Sequence, residues 1–225
     1  VSGFYWVYDD GTGQECNFRR KAEIKEPFSG VEYGKDYRFD EISSQVYIKM
    51  HGLTIRTEIL QKHREAIRLD EHCYYVDAEY ILYPVPYIET ITFIPDFVYQ
   101  YRLGREGQSV SPEKLIKNCE NYDRVLRSLL CFYEKCRNKE IACSRAKLSY
   151  IETGIARIAA GRVKILLSLP GSSENKNQLK QFDGCLREKY PGIYRANKNK
   201  AVWALRKSRY ALYGLASWMV RRKFA

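Results

Sequence analysis

The chain has 225 residues, 45% of them hydrophobic and 14% aromatic, which is too apolar for a disordered polypeptide and long enough for one medium domain, or one domain with a helical appendage. No uncharged apolar run approaches the ~18 residues of a membrane-spanning helix, and the opening VSGFYWVYDDGTG lacks the basic start of a secretory signal. The net charge of +11 is unevenly placed: residues 1–100 carry −6 and residues 101–225 carry +17, so the second half is what needs an anionic partner or a solvated helical surface to explain it.

Residues 2–8, SGFYWVY, predict an aromatic strand, Asp9-Asp10-Gly11 a turn, and residues 15–21 a returning strand. Two glycines and a proline make residues 27–38 a loop. Residues 39–44 suit a short helix and residues 46–50 alternate as a short strand. Residues 54–67 predict a helix with Thr54 or Thr57 as cap, and residues 69–73 a connector. Residues 74–83 read as a helix stopped by Pro84 and Pro86, followed by strands at 90–94 and 97–102. After Gly104 the texture changes. Ser111-Pro112-Glu113 opens a helix to about residue 135, and a second covers about 139–167 before Pro170-Gly171. Ser172 or Ser173 opens a third, Pro191-Gly192 breaks it near 190, and residues 193–224 give one or two more. The expected fold class is therefore α/β, with a mixed region at 1–111 and an all-helical one at 112–225.

Cys16, Cys73, Cys119, Cys131, Cys136, Cys143 and Cys185 include no CxxC pair, and free thiols in a reducing compartment are the simplest reading. The gaps between Cys131, Cys136 and Cys143 match no zinc finger, and His51, His63 and His72 lie far from them in sequence.

Three segments stand out: KMHGLTIRTEIL at 49–60, YYVDAEY at 74–80, and VYQYRLGREGQSVS at 98–111. In order and spacing they resemble the second half of a bacterial family 2 glycosyltransferase of the GT-A (Rossmann-like) fold, of the kind that builds surface polysaccharide. The resemblance covers roughly residues 1–135, and its most specific part is the YRxGxxxQSxS stretch. It implies that Asp77 is the base that takes a proton from the acceptor hydroxyl during an inverting transfer. His51, Arg56 and Glu79 are then the candidates for the acceptor side, and Arg102, Arg105, Gln108 and Ser109 the candidates for the donor diphosphate. The implied partners are a nucleotide sugar and a glycan or lipid-linked acceptor, and the implied location is cytoplasmic, with the inner face of the membrane left open.

The residues themselves add a geometric argument. On a helix, positions 77 and 79 point about 200° apart, so only one carboxylate can face a shared site. On a strand both would face the same way and could form a metal-binding pair. The segment length and the following prolines favour the helix, with Asp77 as base and Glu79 as an orienting partner or surface group. Both also suit plain helix N-terminal acids. His51 can touch acceptor or metal, or be a structural hydrogen-bonded residue. Arg56 can bind an anion, or pair with Glu58 or Glu79.

Two departures matter. The chain has no Asp-x-Asp, the metal site of the family, and only 66 residues separate Asp10 from Asp77. The expectation is that residue 1 falls after the metal site of a longer parent. The nucleotide-binding half is then missing, the Mg or Mn ligands lie mostly outside this chain, and the chain alone is inactive. Residues 186–225 hold 11 Lys and Arg and one Glu, and residues 210–220 are uncharged and apolar-rich, with Trp203 and Trp218 nearby. That pattern suits peripheral membrane contact through 201–225, or a helix that packs its apolar side on the domain. The alternative function is a basic nucleic-acid-binding module, although no RNP motif, zinc finger or recognition helix supports it.

Overall fold

The aromatic opening does form a strand. β1 (Gly3–Tyr8) runs parallel to β4 (Phe97–Leu103), setting Trp6 opposite Tyr101 and Val7 opposite Arg102. The computed structural model describes residues 1–8, 28, 30–103 and 112–222, so the returning strand expected at 15–21 lies outside the described residues. β2 (Asp36–Arg38) and β3 (Thr90–Thr92) form an antiparallel pair, tied by a hydrogen bond from the Thr92 hydroxyl to the Asp36 carboxylate. Among the described residues the two pairs stay separate, so no wider doubly wound sheet forms there. The protein is mixed α/β with helix predominating.

Between the strands, α1 (Phe39–Ile42) is where the sequence predicts it. Residues 46–50 are not a strand: the Ile48 N–H donates to the Tyr150 hydroxyl at 3.0 Å, so a distant side chain takes the place of a strand partner. The helix expected over 54–67 shrinks to α2 (Thr57–Lys62), none of whose residues is buried, leaving no core face to extend it. α3 (Asp77–Leu82) begins later than residue 74 because Tyr75 sits in the left-handed region at φ 72°. Pro84 and Pro86 end it in a single 3-10 turn over Val85–Tyr87.

The second half comprises α4 (Pro112–Lys117), α5 (Cys119–Arg137), α6 (Arg145–Ser168), α7 (Ser173–Lys189), α8 (Pro191–Ala196), α9 (Lys200–Lys207) and α10 (Tyr213–Arg222). Ser144 and Ser172 cap α6 and α7 by accepting the N–H groups of Lys147 and Asn175. Pro191 opens α8 rather than merely ending α7, as its fixed φ and missing N–H suit a first helical position. No helix among the described residues is long and apolar enough to cross a membrane.

The core ignores the change of texture near residue 111. Phe39, Leu82 and Phe93 from the first region pack with Leu129, Ile151 and Ile155 of α5 and α6. A second cluster joins Val163, Leu166 and Leu167 of α6 to Leu179, Val202, Leu205 and Tyr213. α6 therefore contributes to both. Its neighbours come close at two glycines. A Cβ at 154 would lie 2.6 Å from the Leu82 Cδ2, and one at 161 would overlap the Tyr122 hydroxyl, which donates to the Ile158 carbonyl at 2.8 Å. The Arg162–Asp123 ion pair, at 2.6 Å, closes the α5–α6 contact beside it.

Arg206 belongs to this interior and not to the basic surface that the sequence suggests. Its guanidinium grips the buried Asp183 carboxylate through Nε and Nη2, donates to the Tyr194 carbonyl at 2.8 Å and stacks on the Tyr194 ring at 3.5 Å. Tyr210 donates to the same carboxylate. The network ties α7, α8 and α9 together.

Two stability measurements follow. Gly161→Ala should lower the unfolding free energy by about 1–3 kcal/mol as Tyr122 is displaced, whereas Gly184→Ala, in open space on α7, should raise it by up to about 1 kcal/mol. Equal effects in urea titrations would remove the close-approach argument. Asp183→Ala should cost about 3–5 kcal/mol by leaving Arg206 buried and unpaired.

Candidate functional site

Asp77 occupies the first position of α3, where the backbone N–H groups of its own residue and of Ala78 favour its charged form without outweighing desolvation. The side chain reaches solvent, yet enough protein surrounds it that desolvation raises its pKa. Four tyrosines feel its charge: Tyr47, Tyr75, Tyr101 and Tyr122. All four phenols have raised pKa values, first from burial and then from nearby charges that include Asp77. The Tyr75 and Tyr122 rings meet at 5.1 Å. Tyr75 is also a strained residue, since a left-handed backbone costs a bulky side chain on the order of 1 kcal/mol or more.

His51 lies one ring away from this group. It sits on a 3-10 turn (Met50–Gly52) and stacks on Tyr101 at 4.3 Å and on Tyr99 at 5.1 Å. Burial first, and Lys49 second, lower its pKa, which favours the neutral imidazole. Arg157 of α6 lies 3.8 Å over the Tyr47 ring and depresses the Lys49 pKa, after burial. Arg157 also borders a groove of about 630 Å³ that includes Lys164, Asn197, Lys198 and Asn199 over an apolar floor. The site thus joins one solvent-reaching carboxylate, four phenols, an imidazole and two cations.

The other expected residues distribute as follows. Glu79 is fully buried, so it neither lies at the surface nor contacts an acceptor. Its carboxylate accepts the Asp70 N–H at 2.9 Å and the Tyr83 hydroxyl at 3.3 Å. With Arg124 and Ser128 holding the Asp70 side chain, Glu79 pins the loop that leads to Asp77. Arg56 is exposed at a cleft of about 400 Å³ whose lining includes Glu58, Tyr87 and Glu89 but neither Asp77 nor His51. Pairing of Arg56 with Glu79 is excluded by the burial of Glu79. Arg102 is on β4, next to Tyr101, while Arg105, Gln108 and Ser109 lie outside the described residues. His63 is half-buried and stacks on Tyr87 at 3.8 Å.

Among the described residues no three His, Cys, Asp or Glu side chains converge as metal ligands. Sequence reasoning missed Tyr47, Tyr122, Lys49 and Arg157. Lys49 opens the first resembling segment and Tyr47 lies just before it, and the 19 tyrosines were a general signal, but nothing local marks Tyr122 or Arg157.

The buried Glu79 carboxyl has a pH signature. Its pKa rises from 4.5 to about 6, chiefly by desolvation. Between those values the unfolded chain loses the proton first, so stability falls as pH rises. Removing this group as Glu79→Gln should cancel that slope, so the variant gains about 1–2 kcal/mol on wild type between about pH 4 and pH 7. Parallel urea curves at the two pH values would rule out titration of Glu79 in that window. Neither a protein-family model nor a curated protein matches this sequence, and no solved structure matches its fold.

Proposed function

We propose that this chain is the acceptor-side part of an inverting glycosyltransferase, a partial GT-A fold followed by a helical region, with Asp77 as general base. The observation that carries the reading is an exposed carboxylate whose pKa desolvation raises and whose charge four tyrosines feel. Raising the pKa of an aspartate makes it a stronger base than an ordinary one. Phenol rings offer flat apolar faces for the C–H face of a sugar, and their hydroxyls and the His51 imidazole offer hydrogen bonds to its polar edge. The resemblance of 49–60, 74–80 and 98–111 to family 2 glycosyltransferases supports the same assignment.

The step is then a displacement. The acceptor hydroxyl gives its proton to Asp77 as its oxygen bonds to the anomeric carbon. The bond from that carbon to the diphosphate breaks on the opposite face, and the electron pair leaves with the diphosphate. Arg102, Arg105, Gln108 and Ser109 are assigned to the growing charge on the leaving group. In this reading the nucleotide-binding elements belong to a longer parent, together with the Mg or Mn the family uses, and the chain alone does not turn over.

The test separates binding from chemistry. The 225-residue chain, titrated with a panel of neutral oligosaccharides and followed by tyrosine and tryptophan fluorescence, should show saturable binding. Tyr101→Ala should weaken that binding about tenfold or more, and Asp77→Asn should leave it within a few-fold. In a polypeptide that also carries a nucleotide-binding half, Asp77→Asn should reduce kcat by about 10²–10⁴ and erase the acid limb of the pH profile. Full activity in Asp77→Asn, or no oligosaccharide bound by the chain, would sink the reading.

A further inference from the structure

Helix α10 has two apolar faces where an ordinary surface helix has one. Tyr213, Ala216, Ser217 and Val220 recur at the spacing of a single helical stripe and face the protein. Tyr213 and Ser217 are buried, Ala216 and Val220 pack on the second cluster, and the Ser217 hydroxyl donates to the Leu167 carbonyl at 2.9 Å. Leu215, Trp218, Met219 and Arg222 recur at the same spacing on nearly the opposite side. Leu215, Trp218 and Met219 are each about half exposed, at 53%, 50% and 49%, and Leu212 precedes them at 44%. The Arg222 guanidinium lies 5.1 Å over the Trp218 ring.

The segment of chain that carries this outer stripe has charge of one sign. Residues 189–225 contain ten Lys and Arg and no Asp or Glu. Arg206 is engaged by Asp183, while Lys207, Arg209, Arg221 and Arg222 are exposed. A second copy packed on the stripe about a twofold axis would bring these cations together with no carboxylate in the segment to neutralise them. Nucleic acid would satisfy the cations but leave Leu212, Leu215 and Met219 without an apolar partner. An anionic lipid surface satisfies both sets: headgroups meet the guanidinium and ammonium groups, the acyl boundary takes the aliphatic side chains, and Trp218 suits the interface between them.

We propose that α10 seats the chain on an anionic membrane surface, its outer stripe at the headgroup–acyl boundary and its inner stripe kept in the protein. This seat does not depend on the sugar-transfer reading. The test is sedimentation of the full chain with phosphatidylcholine vesicles containing roughly 30% phosphatidylglycerol, against vesicles of phosphatidylcholine alone. The expected result is binding to the anionic vesicles, weakened by salt, with a blue shift of tryptophan fluorescence. The double substitution Leu215→Ser with Met219→Ser should lower the partition coefficient at least tenfold (roughly) while circular dichroism and the urea midpoint stay unchanged. Arg221→Gln with Arg222→Gln should reduce the preference for anionic vesicles. Unaltered binding by the Leu215/Met219 variant, or no binding to anionic vesicles, overturns the proposal. So does self-association in sedimentation velocity, or capture of a random single-stranded oligonucleotide, if the same double substitution abolishes it.

Discussion

The shared burial of helix α6 is the constraint on which the rest of the molecule depends. Its buried side chains include Tyr150, Ile151, Ile155, Ala156, Val163, Ile165, Leu166 and Leu167, which leaves little of its surface for water. A helix of that kind needs partners on several sides. α3 and α5 supply them along its first part, and α7, α9 and α10 along its last. The glycines at 154 and 161 matter because they allow Leu82 and Tyr122 to reach the helix surface. The short strands could not hold a fold by themselves, since among the described residues neither pair extends beyond two strands. They are carried by the helices behind them, with Phe93 fully buried between β3 and β4 as one point of attachment.

What could be read from the sequence was whatever depends on near neighbours along the chain. Ser172 before an acidic first turn gave a helix start, and the prolines at 84 and 86 gave a stop. Misreadings fell where a distant group took over. Residues 46–50 alternate like a strand, but the hydroxyl of Tyr150 takes the amide that a strand would have paired. Residues 63–67 have helical composition but form turns, where His63 stacks on Tyr87 and Ile67 packs on the core. Arg206 lies in a run of basic residues, and only the fold reveals that a buried aspartate from α7 holds it.

The candidate site divides the same way. Opposite directions for residues 77 and 79 follow from helical geometry alone, and the structure has one outside and the other in the core. The cost of that arrangement falls on Glu79, an ionisable group deep in protein, where it anchors a loop instead of meeting a ligand. The tyrosines that feel the charge of Asp77 come from four separate stretches of chain, and Tyr122 and Arg157 belong to α5 and α6. No periodicity or spacing rule assembles groups so far apart, so their meeting had to come from the packing of α5 and α6.

The position of Arg157 bears on how this polypeptide could have been inherited. The composition boundary near residue 111 looks like a natural joint for shuffling modules, but a chain cut there would keep Asp77 and lose Tyr122 and Arg157. The same cut would also strip Leu129 and Ile151 from Phe93. Descendants that exchanged the helical region wholesale would have to rebuild the surroundings of that carboxylate from scratch. A substitution in α5 or α6 beside these residues is therefore also a change in the surroundings of Asp77.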